Sequence, residues 1–244
     1  MNEYMNSVVL HIACIMILGV VVMMNRAALI DPKWPLLGIG LVMAVWLLFG
    51  VYTLLIALWS FYQTGGLPTL AAVLAGIGMI PVVCVAAFVI KVQQYPKIHD
   101  ITTDTHNPPL LHHASQIRHA SHNSTHYRSE NADLQKKAYP TLKPLLLDVS
   151  PQQAFTHVLA VVQRMGWGIY SVDEAQGRIE AYDKTAWLGF IDDIAIRVSE
   201  HQEGSRIDVR SASRIGVSDL GANAQRIEVF MHHLSSQEGV SESL

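Results

Sequence analysis

The sequence predicts an α+β protein in which three N-terminal transmembrane helices precede a small antiparallel sheet packed by helices. Two observations lead to this prediction. From Trp34 to Ile90, 57 consecutive residues include no Asp, Glu, Lys, Arg or His, which is enough for two membrane spans of about 20 residues each. The C-terminal third instead follows the order α-β-β-β-β-α, which is typical of an antiparallel sheet with helices on one face.

The uncharged stretch divides into two predicted spans. They cover roughly 34–62 and 67–90, and a polar sequence at 63–66 separates them. A third, shorter apolar run covers Val8–Met24. A cleaved signal peptide would carry Lys or Arg before such a run and a small-residue cleavage site after it. Because this sequence offers neither, we expect a third transmembrane helix.

Three kinds of residue within the spans indicate how the helices pack. Gly76 and Gly78 predict close helix contact, since small residues let backbones approach each other. Pro81 predicts a kink. His11 is more often a packed residue of a helix interface than a proton relay, although an ionisable group in a membrane also fits a relay.

The water-facing part begins after a membrane anchor at 1–91. We divide it into an extended, His-rich connecting segment (92–149), an α+β domain (150–235) and a disordered tail (236–244). Cys14 and Cys84 both lie in apolar spans, so no disulfide framework is expected. The net charge of −3 provides no basic excess for nucleic-acid binding. We also expect no cofactor.

Local signals define the elements of the soluble part. A short helix is expected at 131–138. The sequence Ser150-Pro151-Gln152-Gln153 is typical of a capping box with proline in the first turn, and Gly166 ends the helix that follows. Two hairpins come next, with strands at 167–172 and 178–183 and then at 193–199 and 205–214. Ser218 or Asp219 is expected to cap the last helix.

Strand periodicity places charged side chains on one face of the predicted sheet. Side chains alternate between the two faces of a strand. Asp193 and Arg197 therefore point to one face of their strand, and Ile194 and Ile196 point to the other. If the strands pair, Asp208, Arg210 and Arg214 share the face of Asp193. We therefore predict a ligand- or partner-binding set that consists of Asp193, Arg197, Asp208, Arg210, Ser211, Arg214, Asn223 and Arg226.

Three interpretations of this charged face remain open. Ion pairs across neighbouring strands could form a solvated lattice, worth roughly 0.2–1 kcal/mol for each pair. The arginines could instead bind an anion or a polar headgroup together with backbone amides of the helix after Gly216. The face could also dock a partner protein, or the extended segment that precedes the domain. Asp192 and Asp193 point to opposite faces of their strand, so they are not expected to share a metal or a proton.

The connecting segment contains the candidate metal ligands. Imidazole ligands usually combine with each other and with carboxylate or thiolate groups, but no cysteine is close in sequence. A His-rich tract can also bind metals weakly without a formed site. We therefore predict no structured metal site and retain as weak candidates His112, His113, His119, His122 and His126.

Catalytic signals are weak throughout the chain. His99, Asp100 and Asp104 offer acid–base groups, but no oriented nucleophile accompanies them. Ser211 and Ser213 stand beside arginines, which is not the pattern of a catalytic triad. Whether the protein is an enzyme is therefore left undecided.

Three segments resemble a known bacterial family. They are IHDITTD at 98–104, GFIDDIAIRV at 189–198 and DVRSASRIGVSDLGAN at 208–223, and Gln135 fits the same pattern. Together they are similar to the family called domain of unknown function 1499 over roughly 95–234, and its forms with three N-terminal spans are similar to the whole chain. The resemblance implies no activity. Exported and lipid-anchored forms of the family imply a domain on the envelope side of the membrane.

Charges near the spans and the family resemblance imply opposite orientations. Arg26 and Lys33 precede the second span, and Lys91 and Lys97 follow the third. Counted by the positive-inside rule, these charges place the soluble domain in the cytoplasm. We give more weight to the resemblance and expect a bacterial inner-membrane protein with a periplasmic domain.

Three hypotheses of function follow. The first is a non-enzymatic, membrane-tethered module that binds an envelope protein or an anionic lipid or glycan. The second is an enzyme that acts on an envelope lipid or glycan. The third is a metal-binding protein that uses its His-rich segment.

Overall fold

The computed structural model describes the backbone of residues 2–26, 33–66, 69–185 and 189–241. Side chains are described for 8–24, 37–66, 69–70, 72–185 and 189–236. The side chains of Arg26 and Lys33, which entered the orientation count, lie outside these ranges. The chain divides into a helical unit, whose N-terminal part runs to Gln93, and an α+β unit built from Gln94–Thr185 and Phe190–Leu244.

The described part of the helical unit contains α1 (Asn2–Arg26), α2 (Lys33–Thr64), α3 (Thr69–Gly78) and α4 (Ile80–Gln93). Two helical stretches, Leu37–Thr64 and Ala72–Gln93, are long and apolar enough to cross a membrane. We predicted three such stretches. The apolar part of α1, Val8–Met24, is shorter than the about 20 residues that a span requires.

Packing within the helical unit follows the sequence signals in part. Gly78 lies so close to Gly50 that a Cβ atom on either residue would overlap the backbone of the other. At Gly76, in contrast, no other described group lies within 4 Å of a Cβ position. The ring of His11 is buried against Trp46, edge-on at 6.5 Å between centroids. Close packing is thus confirmed at Gly78, and His11 is a packed residue.

A break between α3 and α4 occurs at Met79, two residues before Pro81. Proline has no N–H to donate to the preceding turn, and its ring crowds the carbonyl four residues earlier. The helix is therefore interrupted at one residue close to the predicted kink.

The α+β unit is built on a six-stranded antiparallel sheet of order β1-β6-β5-β4-β3, with β2 paired to β6 beside β1. The strands are β1 (Asp100–Thr102), β2 (Leu145–Leu147), β3 (Gly168–Asp173), β4 (Arg178–Lys184), β5 (Ile191–His201) and β6 (Gly204–Ser213). The four predicted strands all form. The two additional strands lie in the segment that we predicted to be a connection. They were not predicted, because three residues are too few to show an alternating pattern.

Four helices accompany this sheet in the described residues. They are α5 (His112–Ile117), α6 (Asn131–Ala138), α7 (Pro151–Arg164) and α8 (Ala222–Ser241). Helix α8 continues into the range of the predicted tail, whose last three residues lie outside the described part. The segment 92–149 therefore supplies two strands and two helices to the folded unit instead of a linker.

Helix ends follow the predicted capping chemistry. Ser150 and Gln153 form a reciprocal capping box at the start of α7. Gly166, with a φ of 71°, ends that helix in a conformation that glycine adopts at little cost. At the start of α8, Asp219 accepts hydrogen bonds from the N–H groups of Gly221 at 2.9 Å and Asn223 at 3.1 Å. Asp219 is therefore the cap.

The hydrophobic core lies between one face of the sheet and helices α7 and α8. Ile194 and Ile196 of β5 and Val209 of β6 are at most 2% exposed and pack against Val158 of α7 and Phe230 of α8. Strand periodicity predicted this face correctly. It leaves the charged side chains on the opposite face of the same strands.

Candidate functional site

The face of the sheet opposite the core carries the predicted charged residues, and we call it the charged face. In strand register it consists of Arg178, Glu180 and Tyr182 of β4, Asp193, Ala195 and Arg197 of β5, and Asp208, Arg210 and Ala212 of β6.

Residues 103–127, which we call the covering segment, pack over much of the charged face. Leu111 and Ala114 of this segment form a small apolar cluster with Ala195 and Ala212. Asp193, Asp208 and Arg210 are at most 1% exposed. A solvated lattice is therefore the wrong description of this face, and the preceding segment does dock on it.

Charged side chains of the sheet hold the backbone of the covering segment. The carboxylate of Glu180 accepts hydrogen bonds from the N–H groups of His113 at 2.8 Å and Ala114 at 3.3 Å, in the first turn of α5. Arg210 donates to the carbonyl oxygens of Pro109 at 3.2 Å and Thr125 at 2.7 Å. The segment is therefore fixed at several points by groups that are themselves buried.

Arg210 also pairs with Asp100 of β1, and the ring of Tyr127 covers its guanidinium at 5.6 Å. Burial raises the pKa of the Tyr127 phenol to about 12, and the neighbouring Asp100 charge acts in the same direction. Tyr127 is therefore neutral at physiological pH.

A second cluster forms around the buried carboxylate of Asp193. It accepts hydrogen bonds from Arg118 Nε at 2.7 Å, from Arg214 Nη2 at 2.8 Å and from the Tyr170 hydroxyl at 3.3 Å. Burial raises the pKa of Tyr170 to about 12. Arg118 was not predicted, because it lies 75 residues from its partner in a segment without a regular pattern.

A third cluster joins two arginines to two carboxylates. Arg197 Nη2 lies 2.8 Å from Asp208 Oδ2 and 3.3 Å from Asp104 Oδ2. Arg206 Nη2 lies 3.0 Å from Asp208 Oδ1 and 2.8 Å from Asp104 Oδ2. Burial alone would raise the pKa of Asp104. The N–H groups of Asn107 and His106 and the two arginine charges hold that pKa below its ordinary value.

Three of the predicted site residues lie on the other side of the sheet. A buried network between the sheet and α8 contains Ser211, Asn223 and Arg226. In it Arg226 donates to Asn223 Oδ1 at 2.6 Å and to Asp192 Oδ2 at 2.7 Å. The predicted set therefore does not form one surface, because Ser211 has the strand parity of Val209. Asp192 and Asp193 point to opposite faces, as predicted.

One pair of like charges on the charged face stands directly opposite across two strands. Arg178 of β4 is in register with Arg197 of β5. The side chain of Arg178 is exposed and makes no hydrogen bond or ion pair with any residue that the structure describes. Like charges in this arrangement are destabilising. Sequence reasoning missed Arg178, and the register of β4 with β5 is the signal that identifies it.

A cavity of about 310 Å³ lies beside this pair. It is lined by both arginines together with Asn107, His112 and Glu180, among others. The two arginines therefore border the same cavity, next to the covering segment.

The histidines do not assemble into a metal centre in the described part of the chain, where no three His, Cys, Asp or Glu residues are placed to hold an ion. His113 stacks on Tyr170 at 4.8 Å between centroids, and the rings of His119 and His122 lie 5.4 Å apart. Burial lowers the pKa of His122. His112 and His126 line another cavity, of about 570 Å³, and His112 also lines the cavity beside Arg178.

Comparison with known proteins gives one family match. The model of the family described as "Protein of unknown function (DUF1499)" matches residues 100–234. This range begins with β1 and ends in α8, so the match covers the sheet, the covering segment and the core helices. No curated protein matches the chain.

Proposed function

Since the chain belongs to the DUF1499 family of proteins of unknown function, we propose a role from its geometry: a membrane-anchored, non-enzymatic module that binds an anionic group between Arg178 and Arg197. The anionic group is a phosphate, either free or in a lipid headgroup. We further propose that the helical unit anchors the protein in the bacterial inner membrane, that α1 adds a third span, and that the α+β unit is periplasmic. The two long apolar helices and the family resemblance support this placement.

The directly opposed arginines carry the proposal. Among the described residues Arg178 has no anionic partner, and Arg197 uses only its Nη2 atom for hydrogen bonds with them. An anion between the two guanidinium groups would replace their repulsion with two charge-assisted contacts. Glu180 also lines this cavity, but its carboxylate is engaged by backbone N–H groups of α5.

The other predicted arginines are less suitable for an external ligand. Arg210 and Arg226 are at most 9% exposed, and both already pair with buried carboxylates. Arg214 is likewise paired with Asp193. The amides at the start of α8 are occupied by the Asp219 carboxylate. Of the predicted binding residues, we therefore retain only Arg197 in the proposed anion-binding site, and we add Arg178 to it.

The enzymatic alternative gains no support from the described side chains. The Ser211 hydroxyl donates to Asn223 at 2.7 Å and accepts from Arg226 at 3.0 Å, so no base lies in position to activate it. The neutral phenols of Tyr127 and Tyr170 do not act as bases near pH 7.

The test measures anion binding by the full chain in detergent micelles. Calorimetric titrations use inorganic phosphate and glycerophosphoglycerol, the soluble headgroup of an anionic phospholipid. Arg178→Gln is compared with Arg128→Gln, which removes an arginine whose side chain is 67% exposed. We expect saturable binding by wild type, a loss of at least about tenfold in affinity for Arg178→Gln, and no change for Arg128→Gln.

The two probes distinguish the source of the anion. Preference for glycerophosphoglycerol indicates a lipid headgroup, and preference for inorganic phosphate indicates a free ion. Absence of saturable binding of both probes, or equal binding by wild type and Arg178→Gln, would refute the proposal.

A further inference from the structure

A second basic cavity, of about 550 Å³, lies next to the Arg197–Arg206 cluster. Its lining includes Lys136, Lys143 and Arg206, and Asp104 is the one carboxylate among its lining residues. The side chains of Lys136 and Lys143 are exposed and form no hydrogen bond or ion pair within the described residues. This cavity therefore presents three cationic side chains to solvent, two of which have no partner in the described part of the chain.

Two shared carboxylates link an arginine of this cavity to an arginine of the cavity beside Arg178. Arg197 lines the first cavity and Arg206 lines the second. Both donate to Asp104 and to Asp208 over distances of 2.8–3.3 Å. The two guanidinium groups are consequently held in one ion-pair cluster, one at the border of each cavity.

Both arginines keep unused donors in this cluster. Nε and Nη1 of Arg197, and Nη1 of Arg206, have no hydrogen-bond partner among the described groups. The carboxylates thus orient the arginines without saturating them, and each guanidinium can still bind an anion from its own cavity.

The charge along the two cavities is positive although the chain as a whole is acidic. Five cationic side chains face three carboxylates here: Arg178, Arg197, Arg206, Lys136 and Lys143 against Asp104, Asp208 and Glu180. The net charge of the whole chain is −3. A local excess of this sign concentrates anions at the surface.

We propose that the two cavities form one extended site for a ligand that carries at least two phosphate groups on a flexible chain. Arg178 and Arg197 hold one phosphate, and Lys136, Lys143 and Arg206 hold another. This inference rests on the proposed function and defines the class of its ligand. Two linked contacts bind more tightly than one, because the second contact forms at a high effective concentration.

The test compares inorganic phosphate with tripolyphosphate, using the full chain in detergent micelles at one fixed ionic strength. We expect wild type to bind tripolyphosphate at least about tenfold more tightly than phosphate. The double variant Lys136→Gln/Lys143→Gln should lose this advantage and retain phosphate binding, whereas Arg178→Gln should weaken both. Lys137→Gln is the matched control, because Lys137 is an exposed neighbour on α6 that lines neither cavity.

The outcomes separate this inference from the proposed function. If tripolyphosphate binds no more tightly than phosphate, or if the double variant keeps the full advantage, the extended site is wrong while phosphate binding at Arg178 still stands. An equal loss in Lys137→Gln would reveal unspecific attraction to the surface and would also overturn the extended site. If neither probe binds, both proposals fail.

Discussion

Arg210 and Asp100 form a two-point ion pair that joins β6 to β1. Arg210 Nε lies 2.9 Å from Asp100 Oδ1, and Nη2 lies 2.8 Å from Oδ2, with the two side chains 1% and 3% exposed. The same guanidinium donates to the carbonyl oxygens of Pro109 and Thr125. One buried arginine therefore connects two strands and both halves of the covering segment, which makes it a structural residue.

Arg210→Met is expected to lower the free energy of unfolding by about 3–5 kcal/mol, because it leaves the Asp100 carboxylate buried without a counter-charge. Urea unfolding of the full chain in detergent micelles measures this loss. Adding Asp100→Leu should restore part of it, since the buried charge is then removed as well. Arg178→Met is the exposed control and should change stability by less than about 0.5 kcal/mol. If Arg210→Met is as stable as wild type, the ion pair is not needed for stability.

Strand periodicity predicted the orientation of the charged residues but not their burial. Ile194, Ile196 and Val209 identify the core face through simple alternation, and the charged face follows from it. The covering segment has no such period, so nothing in the sequence shows that it packs there. Arg118 and Asp193 are separated by 75 residues, and Asp100 and Arg210 by 110. Pairing over such distances is decided by tertiary packing, which local patterns do not encode.

For the same reason, only part of the candidate site could be predicted from the sequence. Arg197 was found from its position on a charged strand face. Arg178 was missed because its significance depends on the pairing of β4 with β5, not on its own neighbours in sequence. Ser211, Asn223 and Arg226 were grouped with the charged face although the parity of Ser211 already assigns it to the core side. We had grouped these residues with the charged face because they are close to it in sequence.

Gln135 acts as a substitute for a neighbouring strand at the edge of β1. Its side-chain carbonyl accepts from the N–H of Thr102 at 3.1 Å, and its amide donates to the carbonyl of Thr102 at 2.6 Å. Gln135→Leu should lower the free energy of unfolding by about 2–4 kcal/mol, because the buried N–H and carbonyl groups of Thr102 both lose their partners. Hydrogen exchange of the Thr102 amide should accelerate at the same time. Gln163→Leu, on the exposed face of α7, is the control, and equal effects of the two variants would contradict this role.

Glu180 anchors α5, so its loss should loosen the covering segment more than the core. In Glu180→Leu the N–H groups of His113 and Ala114 lose their acceptor, which costs about 1–3 kcal/mol for a buried donor. Hydrogen exchange of α5 should rise by about tenfold or more, whereas exchange of β5 should change much less. Glu174→Leu, in the exposed turn between β3 and β4, should leave both regions unchanged. Unaltered exchange of α5 in Glu180→Leu would mean that other contacts suffice to hold the segment.

His99 is expected to make the α+β unit less stable in mild acid. Burial lowers the pKa of its imidazole below 6.5, and the charge of Arg118 acts in the same direction, while Asp100 and Asp219 oppose the shift. Its Nδ1 atom is buried without a hydrogen-bond partner among the described groups. The unfolded chain therefore binds a proton more readily than the folded protein, and stability falls as the pH drops below 6.5 toward the folded pKa.

Thermal unfolding of the full chain between pH 7.5 and about 5 tests this dependence. His99→Gln should reduce the loss of stability on acidification, whatever its effect at neutral pH. His122, whose pKa burial also lowers, acts in the same direction, so the double variant His99→Gln/His122→Gln should show the weakest pH dependence. His232→Gln, at an exposed position of α8, should follow wild type. If His99→Gln loses stability on acidification as steeply as wild type, the buried imidazole is not the acid-sensitive group.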